Sequence, residues 1–154
     1  MSDAKPVIIL VGTMSGTAEM VAEEMAGALS NAGGFAPRVM RMERVSVAIF
    51  AQPALFIICT STYGSGDPPD NAKALYGELT EGQPDLSGVR YGVFGLGDRQ
   101  HAATFGFGGR KFDEALAKLG ATRMVERGLH DMRSGVYPEE QGLDWLKNWI
   151  EAAR

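Results

Sequence analysis

Two kinds of segment follow each other along this chain. Short segments that are apolar, or that alternate apolar and polar residues, are separated by segments with helical periodicity. The segments that predict strands are 7–11, 37–42, 54–60, 90–97 and 122–130. Between them, apolar residues recur every three or four positions, as they do on one face of a helix. These intervals predict helices over 17–32, 70–79, 108–119 and 139–153, with Asp70 as a cap, whereas 43–52 is ambiguous and fits a short helix.

The alternation of strands and helices predicts an α/β fold. Continuous apolar runs are typical of strands buried on both faces, and such strands form a parallel sheet covered by helices on each side. We therefore expect one domain over 1–154, built as a three-layer, doubly wound, five-stranded parallel sheet. No internal repeat, linker or low-complexity segment interrupts the pattern.

Composition narrows the classes of function. The net charge is -4 and there is no basic tract, which argues against a nucleic-acid partner. The apolar runs are too short to span a bilayer, and the first residues lack the layout of a signal peptide. The only cysteine, Cys59, lies in an apolar run. We therefore expect a buried thiol and a reducing, cytoplasmic setting.

Charge is unevenly distributed along the chain. Residues 61–89 contain five acidic side chains and one lysine, whereas residues 98–133 contain five acidic and seven basic side chains. The acidic segment fits either a solvated face or a docking patch for a basic partner, and the sequence leaves both interpretations open.

Three glycine-rich loops follow the first, third and fourth predicted strands. They are 12–17, 61–71 and 97–109. In sheets of this kind, ligands bind outside the carboxyl ends of the strands at the point where the strand order reverses. We therefore expect the three loops to meet at one binding site.

The first loop, GTMSGT, has the properties of a phosphate site. A helix begins directly after it, so unpaired backbone N–H groups and the positive end of the helix dipole face the loop. Thr13, Ser15 and Thr17 add neutral hydroxyl donors, and Gly16 allows a close backbone approach. A Walker loop and a dinucleotide fingerprint are both missing. A held phosphomonoester fits best, although an ordinary helix cap would give the same pattern.

The other two loops suit a flat ring. Tyr63 lies between Thr62 and Gly64, where an aromatic side chain and backbone amides could contact a planar ligand. The third loop adds His101 and Phe105. No nucleophile accompanies His101, and isolated histidines do not make a metal site, so we predict neither catalytic nor metal-binding residues. Together the loops indicate a mononucleotide with a flat heterocycle.

Three motifs in this order resemble those of flavodoxin-like FMN proteins. They are TMSGTAE at 13–19, STYGSGDPPDN at 61–71 and GLGDRQHAATF at 95–105. The chain is most similar to MioC-type short-chain flavodoxins and to the FMN domains of diflavin reductases. The resemblance implies the strand order 2-1-3-4-5.

The resemblance also implies FMN as the cofactor and a role for each loop. The phosphate would be bound by Thr13, Met14, Ser15, Gly16 and Thr17. One face of the isoalloxazine would be flanked by Thr60, Ser61, Thr62, Tyr63 and Gly64, and the other side by Leu96, Gly97 and Asp98. The family usually has a tyrosine where this chain has His101. Either His101 or Phe105 therefore stacks on the second face, or that face is left open.

The function implied by this resemblance is one-electron transfer. A cytoplasmic short-chain flavodoxin would take electrons from a flavodoxin/ferredoxin reductase-type donor and pass them to a redox enzyme. Both would dock near the acidic 61–89 segment, with no membrane involved. Such a carrier is not an enzyme with its own substrate. Two alternatives stay open: an FMN-dependent quinone or NAD(P)H reductase, and a flavin-free binding module on the same fold.

Overall fold

The computed structural model describes residues 4–13, 16–62, 69–97 and 107–154, and it confirms the predicted alternation. The strands are β1 Lys5–Gly12, β2 Phe35–Arg41, β3 Leu55–Ser61, β4 Arg90–Gly97, β5 Thr122–Arg123 and β6 Gly128–Asp131. The α-helices are α1 Thr17–Ala32, α2 Lys73–Gly82, α3 Phe107–Lys118 and α4 Pro138–Ala153. The ambiguous segment contains two 3₁₀ helices, Met42–Arg44 and Val47–Ala51.

The strands form one parallel sheet in the order β2-β1-β3-β4-β5, with β6 also paired to β4. The predicted order 2-1-3-4-5 is therefore confirmed. The prediction of five strands is wrong in one respect, because the segment predicted as the fifth strand forms two short strands that both pair with β4.

Two residues in the interruption between β5 and β6 contact helices. The carbonyl of Glu126 accepts a hydrogen bond from the indole Nε1 of Trp145 at 2.9 Å. The guanidinium of Arg127 pairs with Asp113 of α3 at 2.8 Å. Beyond these contacts, pairing with β4 resumes at Gly128.

The two faces of the sheet bury separate apolar clusters. In β1, Val7, Ile9 and Val11 pack with α1 and α4, whereas Ile8 and Leu10 pack with residues of α2 and α3. Successive side chains of a strand point to opposite faces, so an unbroken apolar strand supplies both layers. Among the described residues, no helix is long and apolar enough to cross a membrane.

Cys59 and the two tryptophans lie in the cluster beside α1 and α4. Cys59 is fully buried, its thiol donates to the carbonyl of Ala18 at 3.4 Å, and burial raises the pKa of the Cys59 thiol to about 12. The prediction of a buried thiol is confirmed. Trp149 is fully buried and Trp145 nearly so, which makes both part of the packing.

The start of α2 differs from the sequence-based prediction. Asp70 was expected to cap this helix, but it instead begins a 3₁₀ helix that ends at Ala72, and the cap position of α2 has no side-chain cap. The N–H of Ala72 donates to the carbonyl of Pro69 at 2.8 Å. Asn71 is hydrogen-bonded to residues at the end of β1. The chain before α2 is therefore wound as a 3₁₀ helix, which is tighter than an α-helix.

A buried carboxylate joins α3 to the sheet. Asp113 is 2% exposed and accepts the hydroxyl of Tyr91 on β4 at 2.5 Å. Its other oxygen pairs with Arg123 at 2.9 Å and Arg127 at 2.8 Å. One side chain thus fixes the helix that follows the third loop against both sides of the break between β5 and β6.

We expect Asp113→Ala to lower the free energy of unfolding by about 3 kcal/mol, because it leaves a buried phenol and two guanidinium groups without their carboxylate. Asp144→Ala is the matched control, since Asp144 is exposed on α4 and lies 3.5 Å from Lys147; we expect a change below about 0.5 kcal/mol. Urea denaturation measures both values. Equal effects would contradict a structural role for Asp113.

Candidate functional site

The carboxyl ends of β1, β3 and β4 lie side by side. Gly12 pairs with Thr60, Thr60 pairs with Gly95, and the next residue along β3, Ser61, pairs with Leu96. The strand ends from which the three predicted loops leave the sheet therefore meet at one edge. β6 reaches the same edge beside β4.

A cavity of about 610 Å³ opens at this edge of the sheet. Predicted site residues form part of its wall: Thr17, Ser61, Thr62, Leu96 and Gly97. The rest is formed by β6, the segment after it and the first residue of α4: His130, Met132, Gly135, Val136, Tyr137 and Pro138. The lining combines hydroxyl groups with apolar side chains, and the start of α1 is part of it.

The segment after β6 is the part of the site that sequence reasoning missed. His130 is buried, and its Nε2–H donates to the carbonyl of Val136 at 2.7 Å, which closes the turn. Met132 and Tyr137 remain 67% and 69% exposed. The rule that ligands bind at the carboxyl ends of strands applies to this strand too. The strand pattern over 122–130 is weak, so the sequence alone does not indicate a strand end at this place.

In the first loop, Thr13 acts on the backbone of the loop. Thr13 is 2% exposed, and its Oγ1 accepts the N–H of Gly16 at 2.9 Å. Gly16 has a φ of 89°, in the left-handed region that favours glycine, and α1 begins at the next residue. The threonine hydroxyl and the glycine conformation together shape the turn into the helix.

The second loop begins with residues that are tied to their neighbours. Thr60 is fully buried, and its hydroxyl donates to the carbonyl of Ser61 at 3.2 Å. The N–H of Thr62 donates to the carbonyl of Leu96 at 3.1 Å. Thr62 Oγ1 accepts the N–H of Gly108 at 2.8 Å, which joins the second loop to the start of α3.

Several predicted residues lie outside the described part of the chain. They are Met14, Ser15, Tyr63, Gly64, Asp98, His101 and Phe105. The choice between His101 and Phe105 as the second stacking side chain therefore stays a prediction.

Fold and site define a class of parallel α/β protein that binds a ligand where the strand order reverses. The model of the Flavodoxin family matches residues 9–142, which is most of the chain. The chain therefore belongs to the flavodoxin family.

Individual proteins agree with this assignment. A cysteine-to-serine variant of flavodoxin from Pseudomonas aeruginosa is 35% identical, with a TM-score of 0.82 over 96% of this chain and 97% of that one. A short-chain flavodoxin associated with a non-canonical PDU bacterial microcompartment is 26% identical, with a TM-score of 0.83 over 97% and 99% of the two chains. NADPH–cytochrome P-450 reductase from Sus scrofa is 36% identical over 95% of this chain, which spans only 22% of that reductase.

Family membership identifies the cofactor and the general function. Flavodoxins bind FMN and carry electrons, and this chain is an FMN-binding electron carrier of that type. The family, the fold and the cofactor predicted from the sequence are confirmed.

The contact between α3 and β3 gives a test of the site's construction. A Cβ on Gly108 would lie 2.2 Å from the carbonyl oxygen of Ser61 and 2.9 Å from Thr62 Oγ1, whereas a Cβ on Gly27 in α1 would meet nothing within 4 Å. We expect Gly108→Ala to lower the free energy of unfolding by about 2–3 kcal/mol. The new methyl group would clash with the backbone carbonyl of Ser61, which cannot move aside as the end of a flexible side chain can. Gly27→Ala should raise it by about 0.5–1 kcal/mol. Thermal and urea unfolding measure both values, and wild-type stability of Gly108→Ala would contradict the close contact.

Proposed function

We propose that this chain carries single electrons between separate redox proteins, with FMN held by the loops that follow β1, β3 and β4. The observation that supports this most directly is the cavity at the carboxyl edge of the sheet, whose wall includes the first residue of α1, Thr17, and residues at the ends of β3 and β4. Its volume lies in the range of known ligand pockets. Its hydroxyl groups, its apolar surface and its helix N-terminus fit a phosphorylated, largely apolar ring compound.

The first loop is proposed to hold the phosphate. Helix α1 begins immediately after Gly16, so its first N–H groups and the positive end of its dipole face the loop. The residues assigned to the phosphate are Thr13, Met14, Ser15, Gly16 and Thr17. Thr13 would act by fixing the N–H of Gly16, and Thr17 lies in the cavity wall.

The second and third loops are proposed to flank the ring. Ser61, Thr62, Leu96 and Gly97 line the cavity, where Leu96 supplies apolar surface that excludes water from one side. Thr60 would contribute to this site through its backbone, since its side chain is fully buried. Tyr63, Gly64, Asp98, His101 and Phe105 complete the proposed set. FMN, when bound, supplies reversible one-electron chemistry, and the protein binds it and tunes its potential.

The acidic segment is proposed as the docking surface for redox partners. Its described acidic side chains are all exposed: Asp70, Glu78, Glu81 and Asp85. Lys73 pairs with Asp70 at 3.0 Å, so the one lysine does not offset the charge of the others. A flavodoxin/ferredoxin reductase-type donor and a redox enzyme with basic surfaces would be steered to this side of the protein. A cytoplasmic location is part of the proposal, because a single cysteine cannot form an internal disulfide.

One observation favours an alternative function. Met132 and Tyr137 leave apolar surface exposed beside the cavity, which could admit a second planar ligand. An FMN-dependent quinone or NAD(P)H reductase would need such room. The carrier remains the better proposal because the family is one of electron carriers.

Binding and reduction of FMN test the proposal. We expect the apoprotein to quench the fluorescence of added FMN with a Kd at or below about 1 μM, which corresponds to about 8 kcal/mol. Stepwise reduction of the complex should resolve two one-electron steps. Stopped-flow mixing with NADPH alone should cause no fast bleaching. Fast bleaching would favour the reductase, and absence of quenching would contradict FMN binding at this site.

Charge reversal tests the docking surface. We expect the double variant Glu78→Lys/Glu81→Lys to accept electrons from a flavodoxin/ferredoxin reductase several-fold more slowly at low salt, and to approach the wild-type rate at high salt. The matched control is Glu24→Lys/Glu151→Lys, which makes the same change in net charge at exposed positions of α1 and α4. Equal slowing by both double variants would point to net charge alone and contradict a local docking surface.

A further inference from the structure

Asn71 connects the end of the second loop to the end of β1. Its side-chain Oδ1 accepts the backbone N–H of Thr13 at 2.7 Å. Its Nδ2 donates to the carbonyl of Val11 at 3.1 Å and to Glu43 Oε1 at 3.2 Å. Asn71 is the last residue of the second loop and lies in the 3₁₀ helix Asp70–Ala72. One amide therefore holds the two residues on either side of Gly12.

The partners of this amide allow only one orientation. The Val11 carbonyl accepts hydrogen bonds and cannot donate them, and the Thr13 N–H donates and cannot accept. The carboxylate of Glu43 also only accepts. Turning the amide by 180° would place two acceptors against its oxygen and one donor against its nitrogen. The network therefore fixes the Asn71 side chain.

A charged network keeps Glu43 in its accepting form. Arg41 Nε donates to Glu43 Oε1 at 2.9 Å, and Arg41 Nη1 pairs with Glu19 of α1 at 2.9 Å. The hydrogen bond from Arg41 lowers the pKa of Glu43, so this side chain is a carboxylate at neutral pH. Through Arg41 and Glu19, the network that holds Asn71 extends to the first turn of α1.

These contacts fix both ends of the first loop. On the strand side, Asn71 holds the backbone of Val11 and Thr13. On the helix side, Thr13 Oγ1 holds the N–H of Gly16, where α1 begins. Contacts within the protein therefore anchor the described residues at the two ends of this turn, and groups that are already held in place lose less entropy on binding.

We propose that Asn71 is a positioning residue that presets the first loop for the phosphate of FMN. The inference rests on the proposed role of the first loop as the phosphate site. Asn71 acts through Val11 and Thr13 and needs no contact of its own with the cofactor.

The hydrogen bonds of Asn71 require a side chain that both accepts and donates, as an amide does. An aspartate would still accept the N–H of Thr13, but it would have no hydrogen to donate to Val11. It would also place a second carboxylate beside Glu43. Asn71→Asp therefore keeps the shape and removes the donors, whereas Asn71→Ala removes all three hydrogen bonds.

Riboflavin lacks the phosphate of FMN, so comparing the affinities of the two ligands isolates the contribution of the phosphate. Dissociation constants for both are measured by fluorescence quenching in the wild type, Asn71→Ala, Asn71→Asp and the control Asn148→Ala, an exposed asparagine on α4. We expect both Asn71 variants to raise the Kd for FMN about tenfold or more, and to leave the Kd for riboflavin within about twofold of the wild type. The control should leave both constants unchanged.

The possible results separate the hypotheses. A selective loss of FMN affinity supports the positioning role, and retained riboflavin binding shows that the variant is folded. Parallel losses for the two ligands would mean general destabilisation and would overturn the inference, as would unchanged FMN affinity. Failure of the wild type itself to bind FMN would instead overturn the proposed function, and this inference with it.

Discussion

The parallel register of β1, β3 and β4 is the constraint on which the site depends. It places Gly12, Thr60 and Gly95 in one row across the sheet. A Cβ on Gly12 would lie 2.5 Å from Thr60 Oγ1, so this row packs closely only because its first position has no side chain. The loops leave the sheet beside one another from this row, and the N-termini of α1 and α3 lie next to the strand ends.

Local pattern was enough to predict most of the fold. The bounds of α1 and β4 agree with the prediction. The periodic apolar stripe of α1, with the glycines that follow it, and the apolar run of β4 are local features, so no distant contact is needed to recognise these elements. The break between β5 and β6 could not be predicted in this way. The residues in that break contact Asp113 and Trp145, which come from helices elsewhere in the sequence.

Less of the candidate site than of the fold could be predicted from the sequence. Topology alone brings the loops after three strands to one edge, so residues such as Ser61, Thr62 and Leu96 could be placed together without coordinates. The wall formed by the segment after β6 was missed because a four-residue strand gives almost no periodic signal. Asn71 was missed for a different reason: its partner Val11 lies 60 positions away, and no local pattern reports such a contact.

The burial of Cys59 has a consequence for a protein that handles single electrons. Reduced flavins react with oxygen and release superoxide and peroxide close to the protein that holds them. Cys59 lies two residues before the end of β3, and Ser61 at that end lines the cavity. Thiols are oxidised mainly as exposed thiolates, and this one is enclosed and protonated. The fold thus shields its only cysteine from damage by its own chemistry.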